Sequence, residues 1–159
     1  MFVTMRKSIV GLRALAIGTV VGLASIMSIT AISTPAHADE KEVAIAADKL
    51  NWALWGKGPA QIVVLWGDPK SGEYAALLKL PPGFTPGPHG HTAAYHGVNL
   101  KGTWTHIFGS DDVRSLPPGS YVRQPGKAEH NDACAGPEEC IIFVHQHGPS
   151  DFIPPKSKN

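Results

Sequence analysis

Glycine and proline interrupt this chain at short intervals, and that spacing limits which elements it can form. The sequence holds 17 glycines and 14 prolines in 159 residues, which leaves little room for long helices. Between these breakers lie short runs of β-branched, aromatic and aliphatic residues, and turn-forming segments separate the runs. Regular short strands with turn signals predict an all-β sandwich or small barrel. The predicted strands cover residues 61–66, 74–80, 95–108, 120–123 and 140–145, and the predicted turns cover residues 67–72, 81–83, 109–112 and 117–119.

The first 38 residues have the layout of a signal peptide. Arg6, Lys7 and Arg13 precede an apolar run over residues 14–32, and small residues stand at alternate positions before a cleavage point after Ala38. A retained membrane anchor is the alternative. We therefore predict a signal peptide over residues 1–38, one folded domain over residues 39–159, and a periplasmic or secreted location.

The charge of the mature chain argues against two classes of partner. Removing the leader takes away three of the 14 Lys and Arg residues and none of the 13 Asp and Glu residues, so the remaining net charge is about −2. Nucleic acids and anionic membrane surfaces both require clustered basic residues. We expect neither as a partner; we expect a small-molecule ligand or substrate, and a homodimer is left open.

The two cysteines bracket a short loop with turn chemistry. Cys134 and Cys140 are separated by Ala-Gly-Pro-Glu-Glu, and an oxidising compartment favours a disulfide between them. Closing so short a loop is worth roughly 2 kcal/mol. The alternatives are two free thiols, or Cys134 acting as a metal ligand four residues after His130.

Alternation over residues 96–104 predicts a strand with one inward face. His96, Val98 and Leu100 share one side of the pleat, so if the aliphatic pair points into the core, His96 does too. Tyr95 is then expected on the outer face. His106 shares the inward parity unless the strand loses register at Gly102.

The densest chemical feature is a group of histidines. His89, His91 and His96 fall within eight residues, and imidazole suits Fe, Zn, Cu and Ni, whereas Mg and Ca prefer carboxylates and carbonyls. For His145 and His147, three interpretations are open: solvent exposure, contact behind the ligands, and a weak extra metal site. Trp52, Trp55 and Trp66 are expected to fill the core, and lining a pocket is the alternative.

The spacing of these histidines resembles the two motifs of the cupin superfamily. Gly83, His89-x-His91, His96 and Gly102 match the first motif, and Gly119, Pro125 and His130 match the second. Segments 65–69, 79–84, 95–98 and 116–121 are similar to a bacterial secreted cupin family of unassigned function, related to the ChrR-type anti-sigma cupins. The resemblance implies a double-stranded β-helix, or jelly-roll barrel, and a divalent transition metal (Fe, Zn, Cu, Ni or Mn) held by His89, His91, His96 and His130. The chain departs from the motifs at three positions, where His96 replaces a glutamate, Lys127 a glycine and Cys134 an asparagine.

Three functional hypotheses follow from this site. The first is a metal-dependent enzyme, a dioxygenase or isomerase acting on a small oxygenated organic molecule. The second is a non-catalytic module that binds or senses a metal or metabolite, and the third is a metal-free barrel with hydrogen-bonded histidines. Four imidazoles around zinc would close its tetrahedral shell, which would favour a structural or storage role. No general base is identified, because Glu129 should point away from His130 in an extended chain.

Overall fold

A computed structural model describes residues 41–108 and 112–156. The predicted signal peptide therefore lies outside the described residues. The described part holds one short 3-10 helix, η1 (Ala47–Lys49), and otherwise strands and turns. The strands are β1 (Ala53–Leu54), β2 (Gln61–Gly67), β3 (Tyr74–Leu80), β4 (Tyr95–Lys101), β5 (Trp104–Phe108), β6 (Asp112–Leu116), β7 (Tyr121–Gln124), β8 (His130–Cys134) and β9 (Cys140–Gln146).

The strands form two sheets in which every pairing is antiparallel. The larger sheet has the order β1-β2-β3-β9-β4-β7, and the smaller sheet has the order β6-β5-β8. Residues from both sheets share one apolar cluster, which includes Ala76, Trp104, Val122, Ile142 and Val144. The prediction of an all-β fold from short strands is confirmed.

The predicted strand over residues 95–108 divides at Gly102. This glycine has φ +73°, and a Cβ at this position would lie 2.6 Å from the carbonyl oxygen of Glu139. Only glycine meets both requirements without strain. Because the chain turns here, β4 joins the larger sheet and β5 joins the smaller one.

The period of β4 was predicted correctly, but its inward face was assigned wrongly. Tyr95, Gly97 and Asn99 are buried, whereas Leu100 is exposed. Asn99 can occupy the interior because its amide donates to the carbonyl oxygens of Gly102 (2.9 Å) and Leu116 (2.7 Å). A buried polar group with partners satisfies the same alternation as an aliphatic one, so apolar character alone does not identify the inward face.

The structure confirms the predicted disulfide and the packing of Trp55, and it corrects the position of Trp66. Cys134 and Cys140 form a disulfide with Cα atoms 5.6 Å apart, so Cys134 is no metal ligand. Trp66 was expected in the core, yet 48% of its surface is exposed, because a bulge between Val64 and Trp66 shifts the register of β2. Trp55 packs against the core as expected.

Candidate metal centre

Three of the four predicted ligands converge in the structure. His89, His91 and His130 each offer a ring nitrogen, and these atoms all lie within 4.8 Å of one another. A two-residue bridge sets their positions: the backbone N–H of His89 donates to the oxygen of His130, and that of His130 donates to His89, both at 2.8 Å. Because residues two apart in extended chain share a face, His91 joins the same group.

Backbone carbonyls hold two of these rings in one tautomer. Nδ1–H of His89 donates to the oxygen of Gly87 at 2.8 Å, and Nδ1–H of His91 donates to the oxygen of Asp151 at 2.6 Å. A carbonyl can only accept, so Nε2 of each ring keeps its lone pair. Metal-binding histidines commonly have this arrangement, since the second nitrogen orients the ring.

His130 has no hydrogen bond for either ring nitrogen although it is fully buried. Its Nε2 lies 3.3 Å from a carboxylate oxygen of Asp132, outside hydrogen-bond geometry. A buried imidazole without partners is costly, and a cation at the convergence point would supply the missing partner. The three residues therefore fit a divalent transition metal bound by imidazole.

Asp132 joins the group to the core and was missed in the sequence. Its Oδ1 accepts from Nδ1 of His106 at 2.6 Å and from Nε1 of Trp104 at 2.8 Å. The other ring nitrogen of His106 contacts the side-chain oxygen of Gln124 at 3.1 Å. The signal in the sequence was the position of Asp132, two residues after His130 on one strand face.

Burial lowers the pKa of two of the imidazoles and raises the pKa of the Tyr95 phenol. Desolvation lowers the pKa of His89 to about 4 and lowers the pKa of His91. Burial alone would raise the pKa of Asp132, but the hydrogen bond from His106 and the nearby ring of His130 hold it well below the usual range. Burial and the nearby carboxylate of Asp132 raise the pKa of Tyr95 well above its ordinary value. At neutral pH the group thus presents the neutral imidazoles of His89 and His91, one carboxylate and one phenol.

His96 does not join this group, which corrects the four-histidine set. It faces outward from β4, where its Nδ1 contacts the hydroxyl of Tyr121 at 2.6 Å. The inward position beside the ligands belongs to Tyr95, whose ring centroid lies 5.7 Å from those of both His91 and His130. Adjacent residues on a strand point to opposite faces, so the parity error on β4 exchanged these two side chains. His106 does point inward, but not by the parity of β4: the chain turns at Gly102, and β5 lies in the other sheet.

His145 and His147 lie near His96 on this outer face. The ring centroid of His147 is 4.6 Å from that of His145 and 5.1 Å from that of His96. Both side chains are partly exposed, at 29% and 44%. They do not contact the interior ligands from behind.

A largely apolar cavity of about 960 Å³ adjoins the histidine group on the side of His89 and His91. His89, His91, Tyr95 and Asp132 line part of its wall. The ring of Phe152 stacks on His89, with centroids 4.6 Å apart and planes at 9°. Apolar side chains supply much of the remaining surface, among them Trp55, Leu78, Phe84 and Ile142. A concave apolar site with a few convergent polar groups is typical of small-molecule binding.

No helix within the described residues has both the length and the apolar character needed to cross a membrane.

Comparison with known proteins shows the family and the fold. The model of the ChrR cupin-like domain matches residues 40–151. The polyketide cyclase RemF from Streptomyces resistomycificus superimposes with a TM-score of 0.60 at 13% identity, over 74% of this chain and 89% of that chain. An RmlC-like cupin from Ralstonia eutropha gives 0.58 at 22% identity, over 74% and 76%.

A third structure is the complex of Rhodobacter sphaeroides SigE with the anti-sigma ChrR. The match has a TM-score of 0.51 at 20% identity and covers 64% of this chain and 51% of that chain. A search of curated proteins gives no match. The two-sheet architecture and the family match agree: the chain belongs to the ChrR cupin-like family of the cupin superfamily.

Proposed function

We propose that His89, His91 and His130 hold a divalent transition metal, and that the chain is a metal-dependent enzyme for a small oxygenated organic molecule. The observation that carries this proposal is the convergence of three imidazoles, two of which line an apolar cavity. Three protein ligands leave a coordination position open, as in catalytic zinc sites, whereas structural sites are closed by four. Because His96 is not among the ligands, the site has three protein ligands, which favours a catalytic role over metal storage.

The bound metal would act as a Lewis acid toward a substrate oxygen or, if redox-active, support oxidation by dioxygen. The apolar wall excludes water and binds the carbon skeleton of the substrate. The phenol of Tyr95 lies beside His91 and His130. Its raised pKa keeps it protonated, so it can act as a proton donor. It donates a hydrogen bond to a substrate oxygen and is the group from which a proton can move in an isomerisation.

Asp132 is a positioning residue in this proposal. Its contacts with His106 and Trp104 fix the carboxylate near Nε2 of His130. A fixed carboxylate orients the imidazole and raises its basicity as a ligand. Its negative charge also offsets part of the charge of a divalent ion.

The test is reconstitution of untagged protein with Fe(II), Zn(II) or Co(II), followed by elemental analysis. We expect His91→Ala to lose one equivalent of metal, whereas Tyr95→Phe retains the metal and loses turnover. Oxygen consumption with enolisable diketones and thiols, together with isomer analysis, reports activity. In the cobalt form, azide should change the visible spectrum through the open position. Unchanged metal content in His91→Ala, or a cobalt spectrum that azide leaves unchanged, would refute the proposal.

A non-catalytic binding module is the second candidate, and the family match favours it. The solved ChrR structure is an anti-sigma factor in complex with SigE. The two functions differ in one measurement. A binding module takes up metal and small ligand in the cavity without turnover, and Tyr95→Phe then changes ligand affinity alone.

A further inference from the structure

We propose a second metal site on the outer face of the larger sheet, formed by Glu73, His145 and His147 with His96 as a fourth ligand. The ligand atoms of the first three residues all lie within 4.8 Å of one another. Imidazole nitrogens with one carboxylate suit Zn(II), Cu(II) or Ni(II). This site lies across the sheet from the interior histidines and does not depend on the proposed function.

The strand register places these side chains in neighbouring positions on a rigid surface. His96 on β4 is the direct partner of His145 on β9, and Ala75 on β3 is the partner of His145 on its other side. Glu73 is two residues before Ala75 and His147 two residues after His145. Side chains two apart in extended chain share a face, so β4, β9 and the residues next to the ends of β3 and β9 present their ligands to the same side.

Two ligand nitrogens already meet at one carboxylate oxygen. Oε1 of Glu73 lies 2.6 Å from Nε2 of His145 and 3.3 Å from Nδ1 of His147. The shorter contact is a hydrogen bond in which the ring N–H of His145 donates to the carboxylate. Metal binding replaces such protons, since the ligand must be the neutral imidazole.

Two aromatic residues flank the cluster. The hydroxyl of Tyr121 contacts Nδ1 of His96 at 2.6 Å, and Trp66 packs on the ring of His145 with centroids 5.2 Å apart. When the Tyr121 oxygen accepts from Nδ1–H, Nε2 of His96 is free to bind a cation. Hydrogen bonds of this type to a ligand's second nitrogen orient metal-bound histidines. The exposed Arg123 pairs with His96 in the β4–β7 register and offers no ligand atom, which makes it a matched control.

The test is equilibrium dialysis of the untagged full chain against Zn(II), with Cu(II) as a second probe. We expect two equivalents in the wild type, and His145→Ala and His147→Ala should each weaken the outer equivalent at least tenfold while retaining the interior one. His89→Ala should show the reverse pattern. Tyr121→Phe should weaken the outer equivalent about 10-fold to 100-fold, as loss of such a hydrogen bond does elsewhere. Arg123→Gln should bind as tightly as the wild type or more tightly, because it removes a positive charge.

Copper spectroscopy distinguishes the two sites directly. In a His89→Ala, His91→Ala background, Cu(II) should still give an electron paramagnetic resonance spectrum with nitrogen coupling, and adding His145→Ala should weaken the binding of that copper at least tenfold. The proposal is overturned if the His89→Ala, His91→Ala background binds no Zn(II) or Cu(II), or if His145→Ala and His147→Ala leave the outer equivalent as tightly bound as in the wild type. Failure of the interior site alone would leave the outer equivalent intact and would count against the proposed function only.

Discussion

Removing the carboxylate of Asp132 should destabilise the metal-free protein strongly. Its Oδ1 accepts from Nδ1 of His106 and Nε1 of Trp104, and these side chains are 0% and 2% exposed. A buried donor left unpaired costs about 1–3 kcal/mol, so Asp132→Ala should lower the free energy of unfolding by roughly 2–6 kcal/mol, since two donors lose their acceptor.

The conservative variant separates charge from hydrogen bonding. Asp132→Asn keeps an acceptor oxygen but loses the charge, and bonds to charged groups are worth about 1.5–3 kcal/mol against about 1 kcal/mol for neutral pairs. A loss of roughly 1–4 kcal/mol is expected for two bonds. Asp112→Asn is the control, because Asp112 is exposed and pairs with Arg114 alone among the described hydrogen bonds; its unfolding midpoint should not change.

These changes are measured by urea unfolding in the presence of a chelator, with tryptophan fluorescence as the signal. The midpoint should fall at an unchanged m-value. The lowered pKa of Asp132 adds a pH signature. Its stabilisation is fully present above the unfolded pKa of about 3.9 and is lost as pH falls through the lower folded value, and Asp132→Asn should lack that acid-dependent loss. Stability of Asp132→Ala within about 0.5 kcal/mol of the wild type would refute this account of the network.

Further predictions address the pH response, the disulfide and the chain reversal. His89 has a folded pKa of about 4, so between about pH 6.5 and pH 4 only the unfolded chain takes up a proton at this residue. The free energy of unfolding therefore falls on acidification, with a slope below about 1.4 kcal/mol per pH unit. His89→Gln should flatten this part of a series of urea midpoints measured against pH, and an unchanged slope would contradict the assignment. Reducing the Cys134–Cys140 disulfide should cost about 2 kcal/mol, measured as the urea midpoint with and without reductant, and the Cys134→Ser, Cys140→Ser pair should show no reductant effect. Gly102→Ala should cost at least about 2 kcal/mol, because alanine is strained at positive φ and its Cβ would meet the carbonyl oxygen of Glu139; a melting temperature equal to that of the wild type would contradict this.

The five strands predicted from sequence pattern cover six of the nine strands observed in the described residues, because local chemistry determines them and the run over residues 95–108 divides into β4 and β5. β3 matches its predicted range, β2 and β9 extend by one residue, and β7 is shifted by one residue. β6 and β8 were missed, since Asp112–Leu116 and His130–Cys134 lack the aliphatic alternation of a typical strand. They are strands because their backbones pair with β5. A local sequence pattern cannot predict pairing with a partner that is distant in sequence.

The sequence alone also identified the cupin fold and grouped His89, His91 and His130 as candidate ligands, because motif spacing encodes positions along hairpins. It established that residues of β4 alternate, since a strand has a period of two. The tertiary structure decided which face of β4 points inward, and with it the exchange of His96 for Tyr95 at the cavity. The reason is physical: an alternating pattern fits either face equally well. Which face is buried depends on contacts inside the fold, such as the carbonyl oxygens that accept hydrogen bonds from Asn99.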